Sequence, residues 1–105
     1  MRRPYIDRFV WDDWNRDHIA KHGIAPDEVE SVIRLDFLTR ETYTQRLQLI
    51  GPSSSDRILS VIIGSDPNEA DVYYVFSARP ASRAERRIYS DFHNEVPDEQ
   101  EQANH

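Results

Sequence analysis

Short apolar runs in the middle of the chain favour β-strands. Residues 46–50 alternate between polar and apolar positions, and residues 57–63 form an apolar run rich in β-branched side chains. Residues 71–77 also have the composition of a strand, and clusters of Gly, Pro, Ser, Asn and Asp separate the three runs. The pattern predicts three strands joined by hairpin turns, with weaker strand candidates at 5–10 and 37–44.

Residues with helix-capping chemistry mark the ends of two helices before these strands. Asp12 or Asp13 can cap a first helix that runs to about His22, and Gly23 stands where a left-handed residue would end it. Pro26 fits the first position of a second helix, because it needs no hydrogen-bond partner there. The second helix presents a stripe of apolar positions on the helical wheel: Val29, Val32, Ile33 and Phe37.

A third helix is predicted near the end of the chain. Ser82 and Glu85 have the Ser-x-x-Glu spacing of a capping box, which marks a helix start. Its inner stripe on the helical wheel is Ala84, Ile88 and Phe92. The helix therefore has one face to bury against another element.

These elements follow the order β-α-α-β-β-β-β-α. Hairpin-length connections between the strands imply antiparallel pairing, and amphipathic helices need a surface to pack on. We therefore predict an α+β fold, in which an antiparallel sheet of four to five strands is packed by two N-terminal helices and one C-terminal helix.

Composition indicates one small domain. The 105 residues carry a net charge of −6 and no cysteine, so disulfides and thiolate metal sites are excluded. The acidity lies mostly at the end, where residues 91–105 hold five acids and neither Lys nor Arg. The last part of this stretch is almost free of apolar side chains, which favours disorder. We expect a single domain at 1–94 and a disordered acidic tail at 95–105.

The sequence also carries information on where the protein works. No apolar run is long enough to span a bilayer. The first seven residues lack the apolar stretch of a secretory signal peptide. We therefore expect a soluble, cytoplasmic protein without a membrane partner.

The first predicted helix carries two histidines and aromatic residues within about one-third of the helical wheel. His18 and His22 have the spacing of a zinc-binding pair, but no third ligand stands near them. The alternative is that His18 packs against the indoles of Trp11 and Trp14. At the end of the helix, the dipole would stabilise a proton on His22, which makes this residue a candidate acid or cation.

The segment 77–89 holds four arginines against one acid, a basic patch that the net charge hides. Arg79 ends a predicted strand and Arg83 begins a helix, so both guanidinium groups can converge on one phosphate near the helix amides. Glu85 is either a site residue or only the capping partner of the helix. Tyr89 is either a core residue or a ring for base stacking.

Most familiar enzyme classes lack support in this sequence. It contains no Gly-rich phosphate loop, no Gly-x-Ser-x-Gly elbow and no cysteine nucleophile. What remains is chemistry by cations and imidazole. RNA cleavage can proceed that way, because the 2′-hydroxyl is the nucleophile and the protein needs only to orient it, stabilise charge and move protons.

Several motifs stand in an order that one known family shares. They are Phe-Val-Trp-Asp at 9–12 followed by Asn15, Lys-His-Gly-Ile at 21–24 before an acidic helix, Arg-Leu-Gln-Leu-Ile-Gly at 46–51, and Ser-Ala-Arg with Glu-Arg and Tyr within 77–89. Together these motifs cover about residues 8–90. In this respect the chain resembles the BrnT family of toxins.

The resemblance implies a RelE-like fold and the toxin component of a type II toxin–antitoxin system. Such a toxin is a metal-independent endoribonuclease that cleaves RNA, inhibits translation and arrests growth, with no cofactor. The resemblance also implies a ribbon-helix-helix antitoxin of the BrnA kind. Two toxin chains would bind one antitoxin dimer as a heterotetramer, and operator DNA would be contacted only through the antitoxin.

The resemblance carries over a set of candidate catalytic residues by motif: Lys21, His22, Arg46, Arg79, Glu85 and Tyr89. Arg46 and Arg79 would hold the scissile phosphate and its flanks, and Arg83 would join Arg79 in binding RNA phosphate. No metal ligand is among these residues.

The remaining roles concern charge and protons. Lys21 would stabilise negative charge that develops during cleavage. His22 or Glu85 would move a proton. These assignments are hypotheses that the resemblance implies.

This sequence departs from the family pattern beside the arginine strand. The family usually has a glutamate one or two residues before the arginine, whereas Thr44 and Gln45 stand here and Glu41 is the nearest acid. The departure motivates an alternative: a non-catalytic binding module, such as a decayed toxin that only binds or titrates a ribbon-helix-helix antitoxin. A third hypothesis is a metal-dependent hydrolase built on His18 and His22.

Overall fold

A computed structural model gives the fold of residues 4–42 and 44–103, with side chains described up to residue 94. The order of elements is β-α-α-β-β-β-β-α, as the sequence predicts. The elements within these ranges are β1 (Arg8–Val10), α1 (Asp13–Ala20), α2 (Pro26–Val32), β2 (Leu38–Glu41), β3 (Leu47–Pro52), β4 (Ile58–Ser65), β5 (Val72–Pro80) and α3 (Arg83–Ala103).

The strands form one mixed sheet in the order β1-β5-β4-β3-β2. β2, β3, β4 and β5 are antiparallel neighbours, as their short connections predict. β1 differs from the antiparallel prediction, because it lies parallel to β5 with Phe9 opposite Tyr73. A hairpin imposes antiparallel pairing only on the strands that it joins, and two helices and three strands separate β1 from β5 along the chain.

Helices α1 and α2 pack on one face of the sheet, which we name the first face. Ile19 of α1 and Val29 of α2 are fully buried against Leu49, Val61 and Val75 of the three central strands. β-branched side chains favour both the extended backbone and close packing. This apolar layer packs against the first face of the sheet. The opposite face, which we name the second face, is therefore available for other side chains and contacts.

Three predicted helix ends are confirmed. Asp12 caps α1 by accepting a hydrogen bond from the Asn15 amide at 2.9 Å, and Gly23 adopts the left-handed conformation with φ of 74°. In α3, the Glu85 carboxylate accepts from the Ser82 amide and the Ser82 hydroxyl accepts from the Glu85 amide. Local capping chemistry therefore sets where these helices begin and end.

The side of α1 that carries the histidines and Trp14 is only partly buried. Asn15 and Ile19 are the buried residues of α1, whereas Trp14 is 57% exposed and His18 is half-buried. Asn15 is fully buried because its amide nitrogen donates to the Val10 carbonyl oxygen and its side-chain oxygen accepts from the Asp12 amide. A polar side chain whose hydrogen bonds are satisfied can replace an apolar one in the core.

The predicted stripes of α2 and α3 also need correction. α2 ends at Val32, and Phe37 is buried just before β2 rather than on the helix. In α3 the inner positions are Glu85, Tyr89 and Phe92, while Ala84 and Ile88 face outward. The helix turns this way because the carboxylate of Glu85 pairs with an arginine of the sheet.

Helix α3 continues to Ala103 and so includes most of the acidic segment 95–105, for which composition favours disorder. Glu, Gln and Ala are good helix formers, so a polar composition is compatible with a helical backbone. The side chains of this segment lie outside the described residues, and the domain boundary at residue 94 stays a prediction. No helix in the described ranges is long and apolar enough to cross a membrane.

A buried ion pair joins α2 to the turn between β3 and β4. Both Glu28 carboxylate oxygens accept from Arg57, at 2.7 and 2.8 Å, and one also accepts from the Ser53 hydroxyl at 2.9 Å. Arg57 also donates to the Gly23 carbonyl oxygen. The hydrogen bonds from Arg57 hold the pKa of Glu28 below its usual range. The pair therefore fixes the end of the α1–α2 layer to the start of β4.

Replacing Glu28 with alanine is expected to lower the free energy of unfolding by about 1–2 kcal/mol. The loss is moderate because Arg57 is 39% exposed, so water can solvate the guanidinium that is left unpaired. Urea denaturation of the wild type, Glu28→Ala, Arg57→Ala and the double variant measures the coupling between the two residues. Strictly additive losses would contradict an energetic role for the pair.

Candidate functional site

The second face of the sheet is covered by α3 at one end only. There Tyr89 and Phe92 of α3 pack against Leu38, Ile50 and Ile58. Beyond this cluster, the second face carries polar and aromatic side chains that α3 does not cover. We name this uncovered part the open face. Concave or open sheet surfaces with converging polar groups are common binding sites, so these side chains define the candidate site.

An ion pair lies at the first turn of α3, at the edge of the region of the second face that this helix covers. Arg79 of β5 donates to both carboxylate oxygens of Glu85 at 2.8 Å, and Arg79 is 41% exposed against 13% for Glu85. Glu85 also accepts from the Gln48 amide at 2.9 Å and from the Ser82 backbone at 2.9 Å. Four donated hydrogen bonds therefore converge on this one carboxylate.

This environment decides the protonation state of Glu85. The hydrogen bonds from Arg79, aided by the Ser82 amide and Gln48 against the effect of burial, lower the pKa of Glu85 to about 2. The same pairing raises the pKa of Arg79. At neutral pH Glu85 is a carboxylate that positions Arg79, and so low a pKa makes it a weak general base.

A second arginine lies at the other end of the open face. The guanidinium carbon of Arg46 stands 3.6 Å above the centre of the Phe76 ring, within the range of a cation–π contact. Arg46 is half-buried, and no hydrogen bond or ion pair of its guanidinium occurs within the described residues. Its N–H groups are therefore available to a ligand, whereas two nitrogens of Arg79 already donate hydrogen bonds to Glu85.

The Phe76 ring has room to lie against Arg46 because the neighbouring residue of β4, Gly64, has no side chain. A Cβ on Gly64 of β4 would lie 2.7 Å from the Phe76 ring, closer than real atoms approach. The register between β4 and β5 also shifts at Ile62 and Ile63, so Phe76 and Ser77 both lie on the second face. The glycine therefore gives the edge of the Phe76 ring room on this face, and the bulge lets Phe76 and Arg79 share it.

Tyr74 completes the aromatic part of the site. Its ring meets Phe76 edge-on, with the ring centres 5.0 Å apart. Its hydroxyl donates to both carboxylate oxygens of Asp12 at 3.0 Å, so the cap residue of α1 orients the ring. Burial, together with the hydrogen bond to Asp12, raises the pKa of Tyr74, which keeps the hydroxyl protonated.

The turn between β2 and β3 fixes the backbone of Arg46. The carbonyl oxygen of Arg46 accepts from the Thr42 amide at 2.9 Å and from the Thr42 hydroxyl at 3.1 Å. Gln45 has φ of 62°, an uncommon left-handed conformation for a residue with a side chain. Arg46 therefore enters the sheet with a fixed direction rather than from a loose loop.

The structure separates Lys21 and His22 from the arginines. Both residues are exposed at the end of α1, on the first face, and Arg57 holds the adjacent Gly23 carbonyl near the start of β4. Arg46 lies at the opposite end of the sheet, about six residues along β4, or roughly 20 Å at the rise of a strand. The structure thus does not bring the six motif residues into one centre.

The imidazoles of α1 form a surface stack. His18 lies parallel to Trp14 at 4.8 Å, and His22 meets His18 edge-on at 6.1 Å. The expected packing of His18 against an indole is therefore present, but it lies on the outer side of the helix. No cluster of three or more His, Cys, Asp or Glu side chains suited to a metal occurs within 4–42 and 44–94.

Two further candidates lie away from the open face. Arg83 is exposed and lines a cavity on the outer side of α3 with Ala84, Arg87 and Ile88, so it does not converge with Arg79 on one phosphate. Tyr89 is 7% exposed, and its hydroxyl donates to the Asp36 carbonyl oxygen at 2.9 Å. Of its two interpretations, the structure supports the core residue.

Sequence reasoning missed four residues of the site. Tyr74 and Phe76 are alternate strand residues whose face depends on how β5 pairs with β4, and Gly64 matters only through the ring beside it. A glycine at the end of a β-branched run is a signal of close approach that could have indicated Gly64. Gln48, next but one to Arg46 in the chain, also belongs to the network.

Comparison with solved structures shows a similarity to a toxin. The fold is similar to the crystal structure of the Brucella abortus ribonuclease toxin BrnT, with a TM-score of 0.57 and 29% sequence identity. The match covers 72% of this chain and 97% of the Brucella chain. No protein-family model and no curated protein sequence matches this chain. The structural comparison therefore supports a BrnT-like α+β fold, shared with a ribonuclease toxin.

Proposed function

We propose that this chain is the toxin component of a type II toxin–antitoxin system, a metal-independent ribonuclease that cleaves RNA and thereby inhibits translation. One observation carries the proposal: Arg46 is held over Phe76 on an open sheet face with no described partner for its N–H groups. The similarity to a ribonuclease toxin supports it independently. A fixed, half-buried guanidinium with free donors is suited to an RNA phosphate.

The two arginines take different parts in this proposal. Arg46 binds the scissile phosphate and stabilises the charge that develops on it during attack by the 2′-hydroxyl. Arg79 shares its charge with Glu85 and contributes its remaining N–H donors, about three residues further along β5 from Phe76, or roughly 10 Å. The reorganisation energy of such donors during the reaction is small, because the folded protein already holds them in position.

Proton transfer distinguishes the proposal from its alternative. Among the described residues of the open face, the only carboxylate in the arginine network is Glu85, whose pKa of about 2 makes it a poor base. This observation favours the second candidate function, a non-catalytic module that binds RNA or an antitoxin without cleavage. Lys21 and His22 could serve only if RNA also contacts the end of α1, on the first face.

The proposal includes a protein partner. A ribbon-helix-helix antitoxin would neutralise the chain, with two toxin chains on one antitoxin dimer and operator DNA bound by the antitoxin alone. The near-neutral charge of residues 1–90 supports this division, because binding to duplex DNA relies on many positive charges. The site of action would be the cytoplasm, where RNA and ribosomes are found.

The experiment that tests the proposal is RNA cleavage by the purified chain in the presence of EDTA. We expect cleavage to persist, because the proposed chemistry uses arginines rather than a metal. Expression of the chain in bacteria should also arrest growth, and co-expression of its antitoxin should restore growth. RNA that is bound but left intact would favour the non-catalytic module. Cleavage that requires added metal would favour the hydrolase built on His18 and His22.

A further inference from the structure

The second face holds a stacked pair of side chains that phosphate binding alone does not explain. The Arg46 guanidinium carbon lies 3.6 Å above the centre of the Phe76 ring, and Gly64 leaves room for the edge of that ring. A phosphate needs the N–H edge of an arginine, which any flexible arginine can present. Holding the guanidinium over a ring fixes its flat surface as well as its edge.

We propose that the outer surface of the Arg46 guanidinium is the stacking platform for an unpaired nucleobase of single-stranded RNA. This inference rests on the proposed function and specifies how its substrate is recognised. The planar guanidinium of arginine stacks on bases as aromatic rings do. Because the Phe76 ring contacts the inner side of the guanidinium, it keeps the plane from tilting when a base stacks on the outer side. The edge of Arg46 would take the phosphate while its surface takes the base.

The surroundings of Arg46 fit a base better than a second protein chain. A cavity of about 340 Å³ opens beside Arg46, lined also by Glu41, Thr42, Gln45 and Leu47. The Thr42 hydroxyl, the Gln45 amide and the Glu41 carboxylate offer donors and acceptors that can pair with base edges. Tyr74, edge-on to Phe76 at 5.0 Å, extends the aromatic surface along the strand.

The stacked pair also accounts for residue choices that cleavage alone leaves open. A side chain at Gly64 would displace the Phe76 ring, since its Cβ would fall 2.7 Å from the ring edge. The β-bulge at Ile62 and Ile63 lets Phe76 share the second face with Arg79, three positions later, which strict alternation would place on the opposite face. Gly64 and Phe76 are thus positioning residues for Arg46.

Binding of two matched oligonucleotides tests the inference. One is a short single-stranded RNA with 2′-O-methyl sugars, which blocks the nucleophile, and the other has the same phosphates but abasic sugars. Fluorescence anisotropy gives the dissociation constant of each with the full chain. We expect the wild type to bind the oligonucleotide with bases roughly tenfold more tightly than the abasic one.

The variants separate the flat surface of Arg46 from its charge. Arg46→Lys keeps the charge and loses the plane, so the preference for bases, measured as the ratio of the two dissociation constants, should fall to near one even where phosphate binding also weakens. Phe76→Leu should lose the same preference, because the guanidinium is no longer backed. Arg40→Lys is the matched control: Arg40 is exposed on the second face of the edge strand β2 and should keep the preference.

The outcomes distinguish the two proposals. A wild type that binds both oligonucleotides equally, or an Arg46→Lys variant that keeps the preference or weakens both equally, overturns the base platform and leaves the ribonuclease proposal standing. A wild type that binds neither oligonucleotide and leaves RNA uncut overturns both.

Discussion

Arg46→Ala is expected to lower the rate of RNA cleavage by at least about 100-fold, the usual loss when one fixed donor to a developing oxyanion is removed. The reason is geometric, because the Phe76 ring holds the guanidinium of Arg46 in place, whereas Arg79 already donates to Glu85. Initial rates with one RNA substrate in EDTA provide the measurement. The same substitution should relieve growth arrest in bacteria that express the chain.

Arg40→Ala is the matched control for this prediction. It also removes one arginine from the second face, but Arg40 is exposed on the edge strand and contacts neither Phe76 nor Glu85 in the described structure. Its cleavage rate should stay within about threefold of the wild type, because the Arg40 side chain is exposed to solvent and no ring holds it in place. Equal losses in both variants would show that total positive charge matters and that the position of Arg46 does not.

The second large effect is expected at Glu85. Glu85→Ala should lower the free energy of unfolding at pH 7 by about 1–3 kcal/mol, since four donors lose their shared acceptor and the exposed Arg79 recovers part of its solvation. The pH dependence follows from its pKa, which folding lowers from 4.5 to about 2. The ion pair therefore stabilises the fold fully above pH 4.5, and this stabilisation disappears as pH falls through 2.

Thermal or urea denaturation between pH 7 and pH 2 tests this expectation. The wild type should lose more stability than Glu85→Ala over the acid range, so the two curves should approach each other near pH 2. Glu41→Ala, which removes an exposed carboxylate of β2, should change stability by less than about 0.5 kcal/mol at pH 7. Parallel curves for wild type and Glu85→Ala would contradict the assignment of the low pKa to this residue.

Much of the fold could be predicted from local patterns. The strands and helices follow from apolar periodicity and capping residues such as Asp12 and Ser82, since both act within a few neighbouring positions. The pairing of β1 with β5 could not be predicted in this way, because no turn joins them. The inner face of α3 was misassigned for a related reason: its orientation depends on Arg79, which lies outside the helix.

The candidate site was only partly predictable. Motif order gave Arg46, Arg79 and Glu85, which do lie on one face of the sheet. The same motifs also gave Lys21 and His22, which the fold places on the other side. Sequence motifs report that residues occur together in a family, whereas a site requires that they converge in space. Cross-strand register and the bulge at Phe76 decide that convergence, and neither is encoded by spacing alone.

The parallel strand β1 has a consequence for how this chain folds during its synthesis. Arg8 pairs with Val72, 64 positions later, so β1 cannot take its place in the sheet until β5, the last strand, has left the ribosome. Until then Phe9 and the inner surface of α1 lack the strand against which they pack. The core and the open face are therefore assembled only after β5 has been made.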